Sequence, residues 1–220
     1  MQSRTEASLL AVAWRAGVCT AGGFLLAACA TTAPVPKQVA APATAAVGLQ
    51  QSETGFTVAE DVRVGPDTQT EYDNAMRLLE QKEYGPGIAL LVKVTQSAPA
   101  VTAPYVDLGI AYSRSGDLDK AEASLKRALE LNPRHPIAYN EIGMVYRKKG
   151  QFAAARESYE KAIALVPGFH YARLNLAILC DLYLSDLSCA LDNYLAYQQA
   201  VPTDQQASIW IADVRTRAGR

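Results

Sequence analysis

The fold of this chain is decided at residues 105–133, YVDLGIAYSRSGDLDKAEASLKRALELNP, because the pattern of this stretch returns at residues 139–167, YNEIGMVYRKKGQFAAARESYEKAIALVP. Eight positions match in phase, at one constant interval: Tyr105 with Tyr139, Leu108 with Ile142, Gly109 with Gly143, Tyr112 with Tyr146, Ala121 with Ala155, Leu125 with Tyr159, Ala128 with Ala162 and Pro133 with Pro167. A period of about 34 residues predicts a repeat architecture, and the excess of Ala over β-branched residues favours helix.

The pattern resembles the tetratricopeptide repeat (TPR), whose unit is a pair of antiparallel helices. The resemblance implies an all-α TPR superhelix, an α-solenoid of about three to four helix-turn-helix repeats with a C-terminal capping helix. The repeat domain would cover residues 68–219. Within it we expect a degenerate first repeat at 68–101, further repeats at 102–135, 136–169 and 170–204, and a capping helix at 205–217.

The recurring small and cyclic residues each have a physical reason. Gly109 and Gly143 are expected where the first helix of a pair crosses the second, with Ala121 and Ala155 opposite, so that the two backbones approach closely. Glycines 116 and 150 would close the first helices, and the prolines would end each unit. After Pro167 the pattern shifts by one residue, which predicts an extra residue in the last inter-helix turn.

In a TPR stack the first helices line a concave groove that binds other proteins. Carried over to this chain, the resemblance places these candidate partner-binding residues in the groove: Asn140, Met144, Arg147, Tyr171, Asn175 and Ile178, with Tyr72, Met76, Val106, Asp107, Ile110, Arg114, Glu141, Lys148 and Leu174 at equivalent positions. Val106 and Ile110 replace polar residues with which chaperone-binding members clamp a C-terminal carboxylate. The alternative is that several of these side chains only pack against a neighbouring repeat.

The N-terminal sequence predicts that the protein is exported from the cytoplasm. Arg4 and Arg15 precede an uncharged stretch, residues 16–28, which as a helix would span only about 20 Å and is too short to cross a bilayer. It ends in Leu26-Ala27-Ala28-Cys29 and so resembles the lipobox of bacterial lipoproteins. The resemblance implies a signal peptide at 1–28, acyl chains on Cys29 and transport to the outer membrane, facing the periplasm. The alternative is an ordinary cleaved signal.

Residues 29–67 are rich in Ala, Pro, Thr and Val and show no helical or strand period. We expect this segment to be a disordered tether, because it lacks the apolar surface that would offset its ordering entropy.

Cys180 and Cys189 fall late in one predicted helix and early in the next, about one hairpin turn apart. In an oxidising periplasm they could form a disulfide across the hairpin. The alternative is two buried free thiols that serve as small apolar residues.

Composition and motifs argue against other classes of function. The net charge of −1 and the pI near 6.1 give no basic surplus for nucleic acid. His135 and His170 occupy turns between repeats and have no Cys or carboxylate at ligand spacing. We therefore expect no enzyme, no cofactor and no metal site.

The sequence thus predicts a protein-protein interaction scaffold, anchored by its N-terminal lipid, that assists assembly of an envelope complex such as a pilus or secretion system. Two alternatives are a self-associating structural spacer and an adaptor for cell-wall or energy-transducing envelope complexes.

Overall fold

The structure is a computed structural model that describes residues 47–52, 55–60 and 64–219. The predicted signal peptide, Cys29 and residues 30–46 of the predicted tether lie outside the described residues. The described part contains a β-hairpin and nine helices: β1 (Val47–Ser52), β2 (Gly55–Glu60), α1 (Pro66–Glu80), α2 (Tyr84–Ser97), α3 (Ala103–Ser115), α4 (Leu118–Leu131), α5 (Pro136–Lys148), α6 (Phe152–Leu165), α7 (His170–Leu182), α8 (Leu187–Ala200) and α9 (Gln205–Arg217). None of the described helices is long and apolar enough to cross a membrane.

The helices follow one another as antiparallel pairs, α1 with α2, α3 with α4, α5 with α6 and α7 with α8, and each pair packs on the next. Local chemistry sets their ends. The Asp117 carboxylate caps α4 by accepting a hydrogen bond from the Lys120 backbone amide. Gly116 and Gly150 follow α3 and α5 with φ of 94° and 73°, a left-handed conformation that favours glycine. The predicted all-α solenoid is confirmed.

The two helices of a pair meet at Gly109 and Gly143, as expected, but against different residues. A Cβ atom on Gly109 would lie 2.4 Å from Cγ of Leu125, and one on Gly143 would lie 2.6 Å from Cε1 of Tyr159. The glycines therefore make room for the large side chain one turn beyond the expected alanines. Ala121 is itself fully buried in the same core.

The last pair differs from the others by one residue. α4 begins at Leu118 and α6 at Phe152, one period apart, whereas α8 begins at Leu187, one residue later than the period requires. The turn between α7 and α8 accommodates the additional residue, and Ser185 in that turn has a φ of 54°. The predicted insertion is therefore in this turn.

The capping helix α9 closes the array over α8. Val214 and Ile211 of α9 are buried, and the ring of Trp210 stacks on Tyr194 of α8 with ring centroids 5.4 Å apart. Arg217 forms an ion pair with Asp181 of α7, a carboxylate that is only 8% exposed. This helix thus covers apolar surface that would otherwise face solvent.

A β-hairpin lies within the segment predicted to be a disordered tether, and the prediction needs correction there. β1 and β2 are antiparallel, with Val47 opposite Glu60 and Ser52 opposite Gly55. A two-stranded hairpin alone is only marginally stable in water, so this one depends on its contacts with the helices.

The hairpin rests on the turns between repeats. Phe56 and Val58, which alternate along β2, are buried in the core cluster that contains Phe169. At the end of β2, one oxygen of the Glu60 carboxylate accepts a hydrogen bond of 3.0 Å from the Thr102 backbone amide, and the other accepts one of 3.4 Å from the Asn132 side chain. The strand therefore joins the turns before α3, α5 and α7.

Candidate partner-binding groove

The first helices of the pairs form the inner wall of the solenoid. α3 contacts α5, and α5 contacts α7, directly. On the other side, the second helices α4 and α6 are separated by an open cleft of about 400 Å³, lined by residues that include Tyr139, Tyr146 and Lys161. A stack whose helices are close on one side and splayed on the other is curved toward the close side. We call the inward surface of α1, α3, α5 and α7 the concave groove.

A side chain of α3 reaches this groove when it points away from α4. Gly109 faces α4, and at about 100° per residue Asp107 and Arg114 point to the opposite side. The Tyr72 hydroxyl of α1 donates a hydrogen bond of 2.5 Å to Oδ2 of Asp107. Burial raises the pKa of Asp107 to about 6, although the bond from Tyr72 opposes the shift. The Asp107 carboxyl therefore loses its proton at a higher pH than an exposed aspartate does.

A second set of hydrogen bonds links α7 to α5. Nδ2 of Asn175 donates to Oδ1 of Asn140 at 2.9 Å, and Nδ2 of Asn140 donates to Oε1 of Glu141 at 3.1 Å. Burial raises the pKa of Glu141, and the Asn140 bond and the positive charges of Arg114 and Lys148 oppose this. The two asparagine side chains therefore hold the Glu141 carboxylate in position through hydrogen bonds.

The C-terminal ends of α3 and α5 carry positively charged side chains. Nζ of Lys148 donates to the Ser113 carbonyl at 3.0 Å and to its hydroxyl at 2.9 Å, which links α5 to α3. Burial lowers the pKa of Lys148. The Arg147 guanidinium lies over the Tyr183 ring, 5.8 Å from its centroid. The Nε of Arg147 and the hydroxyl of Tyr159 are buried without a hydrogen-bond partner.

Five of the six predicted partner-binding residues lie along this surface. Met144, Arg147, Asn175 and Ile178 are half-buried, whereas Asn140 is 3% exposed and supports Asn175 from beneath. Tyr171 instead packs against His170, with ring centroids 4.1 Å apart, in the aromatic group at the turn where the hairpin docks. Among the equivalent positions, Val106 and Leu174 are buried in the inter-repeat cores.

The residues that sequence reasoning missed are Ser113 and Asp73. Asp73, Asp107, Glu141 and Asn175 occupy the same position of four successive repeats, each one period after the last. This constant interval in the sequence could have identified Asp73 as a groove residue. Ser113 had no such signal, because its role depends on the position of Lys148 in the next repeat.

Comparison with known proteins agrees with this geometry. A family model described as Tetratricopeptide repeat matches residues 106–170 and 141–180. Residues 106–180 therefore contain tetratricopeptide repeats. No curated protein matches it.

Solved structures of other TPR proteins share the fold. MamA from Desulfovibrio magneticus RS-1 has a TM-score of 0.64 and 19% identity over 71% of this chain and 88% of that chain. A thermophilic TPR protein of Thermus thermophilus, TTC0263, has a TM-score of 0.59 and 26% identity over 68% of this chain and 81% of that chain. The first TPR of Spaghetti (RPAP3), bound to the HSP90 peptide SRMEEVD, has a TM-score of 0.51 and 20% identity over 55% of this chain and 96% of that chain.

These TPR relatives indicate a protein-protein interaction scaffold with protein partners, and a TPR array is typical of scaffolds rather than of enzymes. The two histidines of this TPR domain have structural positions. His135 is buried and caps α5, with Nδ1 accepting a hydrogen bond of 3.1 Å from the Ala138 amide. Burial lowers the pKa of His135 to about 4, so this ring is neutral at pH 7. Burial also lowers the pKa of His170.

The two cysteines of the TPR domain are joined. The sulfur atoms of Cys180 and Cys189 are 2.04 Å apart, and the disulfide ties α7 to α8 beside the longer turn. The Asp186 carboxylate lies near both sulfurs and caps α8 through the Cys189 amide. In this bonded state the sulfurs are not thiolate ligands for a metal.

Proposed function

We propose that this TPR protein is a lipid-anchored adaptor of the outer membrane that holds other envelope proteins in its concave groove. The observation that carries the proposal is the continuous inner wall, in which Tyr72 bonds to Asp107, Lys148 to Ser113 and Asn175 to Asn140 across four successive first helices. These bonds fix the backbone positions. They leave half-buried side chains facing the groove, where a guest would complete their burial.

The membrane anchor rests on the sequence Leu26-Ala27-Ala28-Cys29 and its resemblance to a lipobox. With the hairpin seated on the repeats, only the stretch between Cys29 and Val47 is left to act as a tether. At about 3.3 to 3.6 Å per residue this stretch spans at most about 65 Å. The groove would therefore work close to the membrane surface, nearer than a tether reaching to residue 67 would allow.

The proposed role in assembly combines the groove with the anchor. A TPR domain of similar fold holds an HSP90 peptide, which supports the use of such a wall for recognising a segment of another protein. An adaptor that holds such a segment beside the outer membrane would bring components of a pilus or secretion system together during their assembly.

Site-specific photo-crosslinking in growing cells tests the proposal. A photoreactive amino acid replaces Met144 or Ile178 in the groove, and matched controls place it at exposed Lys161 or Ala164 of α6, outside the groove. We expect the groove positions to capture another envelope protein and the controls not to capture it. Capture of that protein only from α6 would overturn the groove assignment, and crosslinks to a second copy of this chain would favour the self-associating spacer.

The anchor is tested separately with Cys29→Ser. We expect the variant to lose incorporation of labelled palmitate and to leave the membrane fraction. Retention of both properties would contradict the lipoprotein assignment without affecting the groove.

A further inference from the structure

Three rows of side chains run along the concave groove, and the middle row is apolar. Met76, Ile110, Met144 and Ile178 occupy the same position of α1, α3, α5 and α7, each one period after the last. All four are half-buried in the described structure. We call them the apolar row. They form a strip of incompletely covered hydrophobic surface that crosses every repeat.

One turn earlier on the same helices lies an acidic row, Asp73, Asp107 and Glu141, which Asn175 continues on α7. Asp107 and Glu141 are half-buried, and Asp73 is exposed. Their bonds come from neutral groups, namely Gln69 to Asp73, Tyr72 to Asp107 and Asn140 to Glu141. No described cation forms an ion pair with any of these three carboxylates.

One turn later than the apolar row lies a basic row, Arg114, Arg147 and Lys148. Within the described ranges these three cations also lack an ion pair. One period later the row is not basic: Leu182 follows Lys148, and Asp181, which follows Arg147, is paired with Arg217 of α9. The basic row therefore belongs to the two central repeats, opposite the carboxylates of Asp107 and Glu141.

The charged side chains of the second helices form ion pairs. On α4 and α6, Glu122 pairs with Lys126, Arg156 with Glu160 and Glu157 with Lys161. These charges are thus paired along their own helix, whereas Asp107 and Glu141 in the groove interact with Arg114 only at longer range, without a direct ion pair. Asp107 and Glu141 are therefore half-buried carboxylates beside which a cation of another molecule would favour the charged form.

The spacing of the rows fits one kind of guest. From Asp107 to Arg114 the rise is about 10 Å, at roughly 1.5 Å per residue, which matches the diameter of an α-helix with its side chains. A helix presents an apolar ridge with a separate flank on each side, whereas a strand presents only two opposite faces. Packed helices have axes about 8 to 10 Å apart, and a helix rises about 11 Å over two turns. A guest helix that crosses the groove would therefore meet a new first helix about every two turns.

We propose that the concave groove binds an amphipathic α-helix of a partner protein. The ridge of that helix lies on the apolar row, its Lys and Arg residues face the acidic row, and its Asp and Glu residues face the basic row. This inference rests on the proposed function, since it specifies the guest of the same groove.

Two synthetic peptides of identical composition provide the test. Each has about three heptads with Leu on the ridge; one carries Lys on one flank and Glu on the other, and the second mixes Lys and Glu within both flanks. Binding to the full-length chain is measured by fluorescence anisotropy, and helix formation on binding by circular dichroism. We expect the segregated peptide to bind about tenfold more tightly and to gain helix, since several exposed ion pairs each contribute a small factor.

Protein variants locate the effect. Asp107→Asn combined with Glu141→Gln keeps the side-chain shapes, and we expect it to abolish the preference for the segregated peptide. Glu130→Gln combined with Glu157→Gln removes the same charge from the outer cleft, and it should leave the preference unchanged. Circular dichroism of each variant establishes that the fold is retained.

Three results would overturn the inference: equal affinity for both peptides, no binding of either peptide, or a bound peptide without helix. Each of these leaves the proposed function standing if the crosslinks from Met144 and Ile178 still capture an envelope protein. Loss of those crosslinks would instead remove the proposed function itself.

Discussion

Phe56 of the hairpin meets Phe169, the residue that precedes α7, edge to face, with ring centroids 4.7 Å apart and planes at 86°. The contact joins two residues that lie on opposite sides of three repeats in the chain. It seats the hairpin on the turn between the third and fourth repeats, and edge-to-face rings are a favoured aromatic arrangement. The two strands that precede the repeats, β1 and β2, are therefore part of the folded unit.

Phe56→Ala should release the hairpin while leaving the helices folded, because the three core clusters are built mainly from residues of the helices. Removing a buried Phe typically costs about 3 to 5 kcal/mol, more than a two-stranded hairpin gains alone. Hydrogen exchange measured by mass spectrometry should accelerate at least about tenfold in residues 47–60 and change little in α3 to α8. Leu182→Ala, at a side chain that is 68% exposed, is the control and should leave both unchanged. Equal protection of the hairpin in Phe56→Ala would show that Phe56 does not hold it.

Gly109 and Leu125 should be energetically coupled. Gly109→Ala would place a Cβ 2.4 Å from Leu125 and should cost about 1 to 3 kcal/mol through overpacking. Leu125→Ala should cost about 2 to 5 kcal/mol by opening a cavity. The double variant should lose less free energy of unfolding than the sum of the two, since the new methyl group enters the space that Leu125 leaves. Urea denaturation of all four proteins completes the cycle, and strict additivity would contradict the contact.

His135 should make stability sensitive to acid. Its folded-state pKa of about 4 lies below the ordinary value of 6.5, so the unfolded chain takes up the proton first. The stability present above pH 6.5 is therefore lost as the pH falls from 6.5 toward 4, by about 2 to 3 kcal/mol. Asn at this position can still cap α5 but does not titrate.

The measurement compares the free energy of unfolding of His135→Asn and of the parent protein between pH 7 and pH 4.5. The raised pKa values of Asp107 and Glu141 act in the opposite direction, because the folded state then holds the extra proton. Both carboxylates are present in both proteins, so their effect cancels in the difference. Parallel pH profiles for the two proteins would rule out a contribution from His135.

The disulfide between Cys180 and Cys189 closes a loop with a sequence separation of 9. Constraint of the unfolded chain by a loop of this length is worth about 2 to 3 kcal/mol. Reducing agent should lower the free energy of unfolding by that amount. Cys180→Ala with Cys189→Ala should lower it similarly and abolish the response to reductant. A parent protein whose stability is indifferent to reductant would contradict this.

The parts of the fold that sequence predicted are those set by near neighbours in the chain. Asp117 caps α4 through the Lys120 amide three residues on, and Gly116 takes its left-handed conformation at the end of α3. The displaced start of α8 was visible as a shift of one residue in the repeat. In each case the physical cause lies within one or two helical turns of the residue concerned.

The parts that sequence did not predict depend on distant partners. Phe56 and Val58 alternate as in a strand, yet two short strands become stable only where Phe169 and the hydrogen-bond donors to Glu60 receive them. In the groove, Asn140 and Asn175 are the same residue type at nearly the same repeat position. Only the packing of α5 against α7 decides that Asn140 is buried and supports the other.

By itself, the sequence determined a helical repeat of fixed period, its register and most helix ends, because periodic apolar positions and capping groups act locally. Only the tertiary structure decided the seat of the hairpin, the large side chains that face Gly109 and Gly143, and the separation of unpaired charge inside the groove from paired charge outside it. These features depend on contacts between residues that are far apart in the chain and exclude water together. A local sequence pattern does not specify such contacts.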